Sequence, residues 1–305
     1  MTADQRVIVG VDGSDPGRAA VAWGIAEAAA TRRPLVLVRA LTPIHAMAAG
    51  PSPEGPARQP DLERSVDAAR ERLGDEAVEA IALPGPPNRA LLTVAGPADL
   101  VVVGGPSHRY PLDQRTTARL LIHHTAGPLI VVPAPKAADA THRPALAFPG
   151  HVVVGADGSA ASRAALEFGF RYAQEHGLPL AAVHIGRRIG DTDVWFDDTF
   201  LETHLGHEPA AAVLLSTLVE PLELAYPRVA VKRAVLAGRP RAALLQSAHG
   251  ATLLVVGRPR VGLLNSISHA VIDEATGPVA IVHPGVGVTA VDRPTGASEA
   301  PEPST

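Results

Sequence analysis

Two aspartates close apolar runs in almost the same wording: Asp12 in VIVGVDGS (7–14) and Asp157 in VVVGADGS (152–159). An apolar run ending in Gly-x-Asp-Gly-Ser reads as a buried strand that turns tightly into a helix. The aspartate is left at the strand's carboxyl end, where open α/β sheets bind ligands. A carboxylate there accepts hydrogen bonds from a base or a ribose and repels a phosphate unless a cation intervenes. It can equally order its own Gly-Ser turn or cap the following helix. An anion would instead seek free amides at a helix N-terminus. Two segments offer them: Val103-Gly104-Gly105-Pro106-Ser107 ahead of Arg115-Thr116-Thr117, and Val256-Gly257-Arg258-Pro259-Arg260 ahead of Asn265-Ser266. Gly104 and Gly257 either permit close backbone approach or only turn the chain. Arg258 and Arg260 either add side-chain charge for a phosphate or are solvated surface residues.

Other constellations carry less chemistry. His204 and His207, with Asp191, Asp193, Asp197 and Asp198, have metal-ligand side chains, but a polar insertion of this kind is expected to be a solvated loop. His123-His124 sit at an expected helix end, where the dipole suits them. Gly257-x4-Gly262 is followed by Leu-Leu and so is not a Walker A loop. Ser14 and Ser159 have no His and Asp in a triad order and read as helix caps. No catalytic residue and no metal site of the protein's own is expected.

These residues need strands and helices to hold them. In the first half the pattern predicts strands at 6–11, 35–40, 76–83, 100–104 and 129–132. Helices are predicted from Ser14 or Asp15 to about Thr31, and over 61–73, 88–95 and 116–126. Gly127-Pro128 stops the last of these. The second half repeats the order, with strands at 151–156, 180–185, 229–236, 253–257 and 279–282. Strands apolar on both faces, separated by helices, imply parallel sheets covered on two sides.

The repetition is extensive. With Val7 laid on Val152, segments 7–24 and 152–169 agree at 10 of 18 positions. GPPNRALLTVAGPADLVVVG (85–104) answers GRPRAALLQSAHGATLLVVG (238–257), and GPLIVVP (127–133) answers GPVAIVHP (277–284). Three matches in one order mean a duplicated unit. The expected domains are 1–133 and 150–284, joined by an Ala/Pro-rich linker at 134–149 and followed by a disordered tail at 285–305. Segment 46–60 is expected to be a mobile loop, and its longer counterpart, 190–207, is an insertion that the first copy lacks.

Composition fits this reading. The 305 residues, 46% hydrophobic, suffice for two cores. A net charge of −4 without long Lys/Arg runs disfavours nucleic acid and anionic membranes. The absence of cysteine excludes disulfides, thiol catalysis and Cys-based zinc sites. No apolar run reaches the roughly 18 residues of a membrane span, and MTADQR leads directly into a strand. A cytoplasmic protein is expected.

Gly-x-Asp-Gly-Ser after the first strand, Leu-Val-Val-Val-Gly at 100–104 and the ending His123-His124 with Gly-Pro-Leu-Ile-Val-Val (127–132) resemble the universal stress protein family in tandem form. The resemblance covers both halves and implies α/β domains, each a doubly wound five-stranded parallel sheet in the order 3-2-1-4-5. It also implies pairing of 129–132 with 279–282 about a pseudo-two-fold axis. It implies ATP or another adenine nucleotide as cofactor, with Mg admitted as counter-ion. The implied binding residues are Asp12, Ala40, Val103, Gly104 and Thr116 in the first copy. In the second they are Asp157, Ile185, Val256, Gly257, Asn265 and Ser266, and the side-chain charge of Arg258 and Arg260 is read as replacing lost amides there.

Both copies depart from the family's phosphate loop, Gly-x2-Gly-x9-Gly-Ser/Thr. Ser107 and Arg260 replace its second glycine, and Arg115-Thr116 and Asn265-Ser266 stand for Gly-Ser/Thr on shortened loops. Asn265 tolerates the left-handed conformation and Ser266 keeps a hydroxyl, so the second half is favoured. The expected output is regulatory, with adenine nucleotide and a protein as partners and a homodimer admitted. A nucleotide-free interaction module is the rival reading, and a slow ATPase the third.

Overall fold

The computed structural model describes residues 5–41, 59–106, 116–135, 147–186, 194–196, 209–258 and 267–285. The first half runs β1 (Val7–Gly10), α1 (Asp15–Thr31), β2 (Leu35–Leu41), α2 (Pro60–Leu73), β3 (Val78–Pro84), α3 (Pro87–Val94), β4 (Leu100–Gly104), α4 (Thr117–Leu121) and β5 (Leu129–Val132). The second runs β6 (Val152–Gly155), α5 (Ala160–His176), β7 (Leu180–Gly186), β8 (Val194–Phe196), α6 (Pro209–Ala225), β9 (Val231–Ala237), α7 (Pro240–Ser247), β10 (Leu253–Gly257), α8 (Ile267–Glu274) and β11 (Val279–Val282).

All strands join one 11-stranded sheet, in the order β3-β2-β1-β4-β5-β11-β10-β6-β7-β9-β8. Each half therefore carries the expected 3-2-1-4-5 arrangement with parallel neighbours. The halves meet where β5 and β11 pair antiparallel, with Ile130 opposite Ala280. Alternation along the strands separates two cores. Val7 and Val9 face α1 and α2, and Val152 and Val154 face α5 and α6. Ile8 and Val153 face the opposite layer, built from α3, α4, α7 and α8.

Three local features differ from the sequence reading. The helix expected over 116–126 ends at Leu121. Beyond it, His124 N and Thr125 N both bond Leu121 O, and the carbonyls of His123 and Thr125 accept from Arg258 of the second half. The insertion at 190–207 is expected to be a loop, yet its residues 194–196 form β8, antiparallel to β9 at the sheet's edge. Phe148, on the linker side of the expected boundary, is buried and packs in a core. The loop segment 46–58, most of the linker (136–146), His204 and His207, and the tail from 286 onward lie outside the described residues.

The helices crossing β1 and β6 approach closely. A Cβ on Gly24 would overlap Val9 Cγ2, and one on Gly169 would lie 2.6 Å from Val154 Cγ2. Valine has no slack with which to yield. Gly24→Ala should therefore lower stability by about 1–3 kcal/mol, as overpacking does, although alanine is the better helix former. Urea unfolding checks this, and an unchanged or raised midpoint would contradict it.

Candidate functional site

β1 and β6 are buried on both faces and end in the same turn. Gly13 (φ 77°) and Gly158 (φ 82°) adopt the left-handed conformation that brings each chain round to its helix. Asp12 Oδ1 accepts from Ser14 N at 2.9 Å and from Ser14 Oγ at 2.7 Å. Ser14 Oγ in turn accepts from Gly17 N, capping α1. In the second copy Asp157 Oδ1 accepts from Ser159 N at 2.9 Å, and Ser159 Oγ caps α5 by accepting from Ser162 N at 3.1 Å. Both aspartates remain exposed at the sheet's carboxyl edge.

In the first half that edge opens into a cavity of about 100 Å³ at the boundary of β1 and β4. This is the topological switch point, because β2 lies on one side of β1 and β4 on the other. Asp12, Ala40, Val103 and Gly104 line it, with Arg39 and Thr117 beside them. Leu91 of α3 closes the apolar wall. Thr116 is not among the lining residues; its hydroxyl caps α4, accepting from Arg119 N at 3.4 Å. Gly104 has a packing reason as well, since a Cβ there would lie 2.7 Å from Gly17 N in the first turn of α1.

Arg39 escaped the sequence reading. Its side chain is buried, and Nη1 donates to Val11 O at 3.1 Å. The counterpart in β7 is His184, whose Nδ1 stands 2.7 Å from Ala156 O, the matching carbonyl. The available signal was one charged residue inside the apolar run LVLVRAL.

The second half keeps the frame. Asp157, Ile185, Val256 and Gly257 occupy matching positions at the ends of β6, β7 and β10. A Cβ on Gly257 would lie 2.6 Å from the carbonyl carbon of Ala161, and the Gly257 carbonyl accepts from Ser268 Oγ at 2.9 Å. Arg258 departs from its expected role. Its Nη1 donates to Thr125 O at 3.2 Å and its Nη2 to His123 O, so its charge serves the first half's helix end. Burial pushes its guanidinium below the ordinary arginine range. Arg260, Asn265 and Ser266 lie outside the described residues.

Among the described residues no group of three or more His, Cys, Asp or Glu side chains could hold a metal ion, and no helix is long and apolar enough to cross a membrane. A nucleotide's nucleoside end fits the first-half residues: an apolar wall, an exposed carboxylate with one oxygen outside its own turn, and a strand end bare of side chain.

A duplicated, doubly wound α/β fold with an aspartate at the same sheet edge of each half, and a cleft beside it in the first, defines the class. The universal stress protein family model matches residues 5–133 and again 150–283. The chain belongs to that family, in tandem form. A universal stress protein of Mycolicibacterium smegmatis is 30% identical over 301 residues, spanning 91% of this chain and 97% of the relative. One from Mycobacterium tuberculosis is 29% identical over 271 residues, spanning 82% and 85%. The crystal structure of a universal stress protein from Archaeoglobus fulgidus shares the fold at a TM-score of 0.57 and 14% identity, covering 92% of this chain and 99% of that one.

The Asp157 turn has a pH signature. Burial acts to raise the carboxyl's pKa, but hydrogen bonds from the Ser159 hydroxyl and amide and from the Ser162 hydroxyl hold it below the usual carboxylate range. Its contribution is present above about pH 4 and is lost as pH falls through the depressed value. Asp157→Ala should therefore lower Tm at pH 7 and by less at pH 3. An equal loss at both pH values would contradict the assignment.

Proposed function

We propose that this protein is a regulatory adenine-nucleotide binder of the cytoplasm, taking ATP foremost in the first half's cleft. The observation that carries this reading is the cavity at the β1/β4 switch point, where Asp12, Ala40, Val103 and Gly104, all marked from sequence, line one space. The base or ribose would meet Asp12 and Ala40, and the phosphates would run past Gly104 toward the N-terminus of α4, where Thr117 stands. Any Mg would travel with the phosphates. The sequence preference for the second half rested on Asn265, Ser266, Arg258 and Arg260; of these, Arg258 is engaged across the seam, and the other three lie outside the described residues.

The nucleotide acts here as a ligand that biases conformation or the choice of a protein partner. The described lining supports this over turnover, because its single carboxylate, Asp12, is tied to Ser14 and lies at the nucleoside side. One observation favours a second reading, a nucleotide-free interaction module: both aspartates already order their own turns.

The test is direct. Denaturing the purified chain should release adenine nucleotide, and calorimetry should show ATP binding. Asp12→Asn retains the Ser14 turn but removes the charge, and should weaken ATP by roughly tenfold or more, the worth of a charged hydrogen bond. Asp157→Asn should have a smaller effect. An inert wild-type titration without co-purified nucleotide would favour the interaction module, and a larger loss at Asp157 would move the site to the second half.

A further inference from the structure

Away from the first half's cleft, titratable side chains gather at the seam between the halves. On one face of the sheet α1 of the first half lies beside α5 of the second, and two buried polar side chains meet a half-buried histidine there. Glu27, only 4% exposed, comes from α1, and Tyr172 and His176 come from α5. Glu27 Oε2 accepts from Tyr172 Oη at 3.2 Å and stands 3.0 Å from His176 Nε2. His176 Nδ1 stands 2.9 Å from the Tyr172 carbonyl, and the two rings stack at 3.9 Å.

Both nitrogens of His176 therefore face oxygen acceptors. A neutral imidazole has one donor and one lone pair, so either tautomer sets a lone pair against an oxygen. Only the imidazolium donates to both. The other carboxylate oxygen, Glu27 Oε1, makes no hydrogen bond, so Glu27 depends on these two donors.

We propose that the α1–α5 contact is a proton-operated latch, in which charged His176 bolts the second half to Glu27 of the first and neutral His176 releases it.

The groups around the latch are few. From α1 and the turn after it come Glu27 and Arg33, and from α5 come Arg171, Tyr172 and Glu175, all bordering a cavity of about 20 Å³. Arg33 and Glu175 pair with each other at 3.1 Å. Burial pushes the His176 pKa down, but the hydrogen bond and charge of Glu27, the Tyr172 carbonyl and the charge of Glu175 together hold it above the usual histidine value. Burial, with the Glu27 charge and hydrogen bond and the Glu175 charge, also pushes the Tyr172 phenol far up, so it stays a donor throughout. The latch is thus fully set below about pH 6.5 and is lost as pH rises through the raised His176 value.

The opposite face of the seam carries a contrary contact. His123 and His269 lie 5.2 Å apart, beside the Arg119–Asp273 ion pair and Arg258. Burial first, then neighbouring positive charge, holds both histidines below the usual value, although Asp273 opposes this at His269. That contact is strongest above about pH 6.5 and weakens on acidification. A global melting curve sums the two faces, so the latch needs local readouts.

In the full chain, an NMR titration of the His176 ring should show a midpoint above about 6.5 that falls in Glu27→Gln. Hydrogen exchange of α1 and α5 amides, corrected for the intrinsic pH dependence, should show a loss of protection from pH 6 to pH 9. His176→Gln should abolish that pH dependence, and Tyr172→Phe should retain it at lower protection. A His176 midpoint below 6.5, or the same pH slope in wild type and His176→Gln, would overturn the latch.

Discussion

The antiparallel pairing of β5 with β11 is the interaction on which the rest depends. Both strands are apolar and buried along their whole length, and a strand of that kind left at an edge exposes unpaired amides and carbonyls beside hydrophobic side chains. Pairing them satisfies the backbone and makes one sheet of two. It also fixes which helices meet across the seam, and so places Glu27 against His176 on one face and Arg119 against Asp273 on the other. The outer edges are treated unequally: β9 is covered by β8, whereas β3 ends the sheet in Pro84.

Much of this could be read from residue order. The period of the apolar runs, the Gly-Asp-Gly-Ser turns and the Gly-Pro stops give strand order by analogy and place both aspartates at the right rim. Those are local signals, in which a turn's chemistry sits within a few residues of the turn. The resemblance extended them to the seam pairing. Arg39 went unread because its partner, the Val11 carbonyl, becomes its neighbour only when β1 and β2 pair. The short α4 was hidden for the same reason: the acceptors that end it are met by Arg258, far along the chain. Glu27 and His176 look like ordinary solvated helix residues in sequence. Only the seam buries them.

The duplicated copies have diverged where a ligand would matter most. Arg39 and His184 occupy one register position, and each side chain contacts the carbonyl that follows the first strand, one through a guanidinium and the other through an imidazole ring. Arg258 has no basic counterpart in the first copy, where Gly105 follows the fourth strand. The same backbone frame thus carries unlike side chains at matching positions of the two halves.

The proposed function needs the cleft between β1 and β4 to receive a nucleotide without rearrangement of the sheet. A crystal structure of the chain grown with a non-hydrolysable ATP analogue addresses it most directly. The adenosine should lie against Asp12 and Ala40, with β5 still paired to β11. Ordered nucleotide at any other surface, or a cleft left empty at saturating analogue, would contradict it.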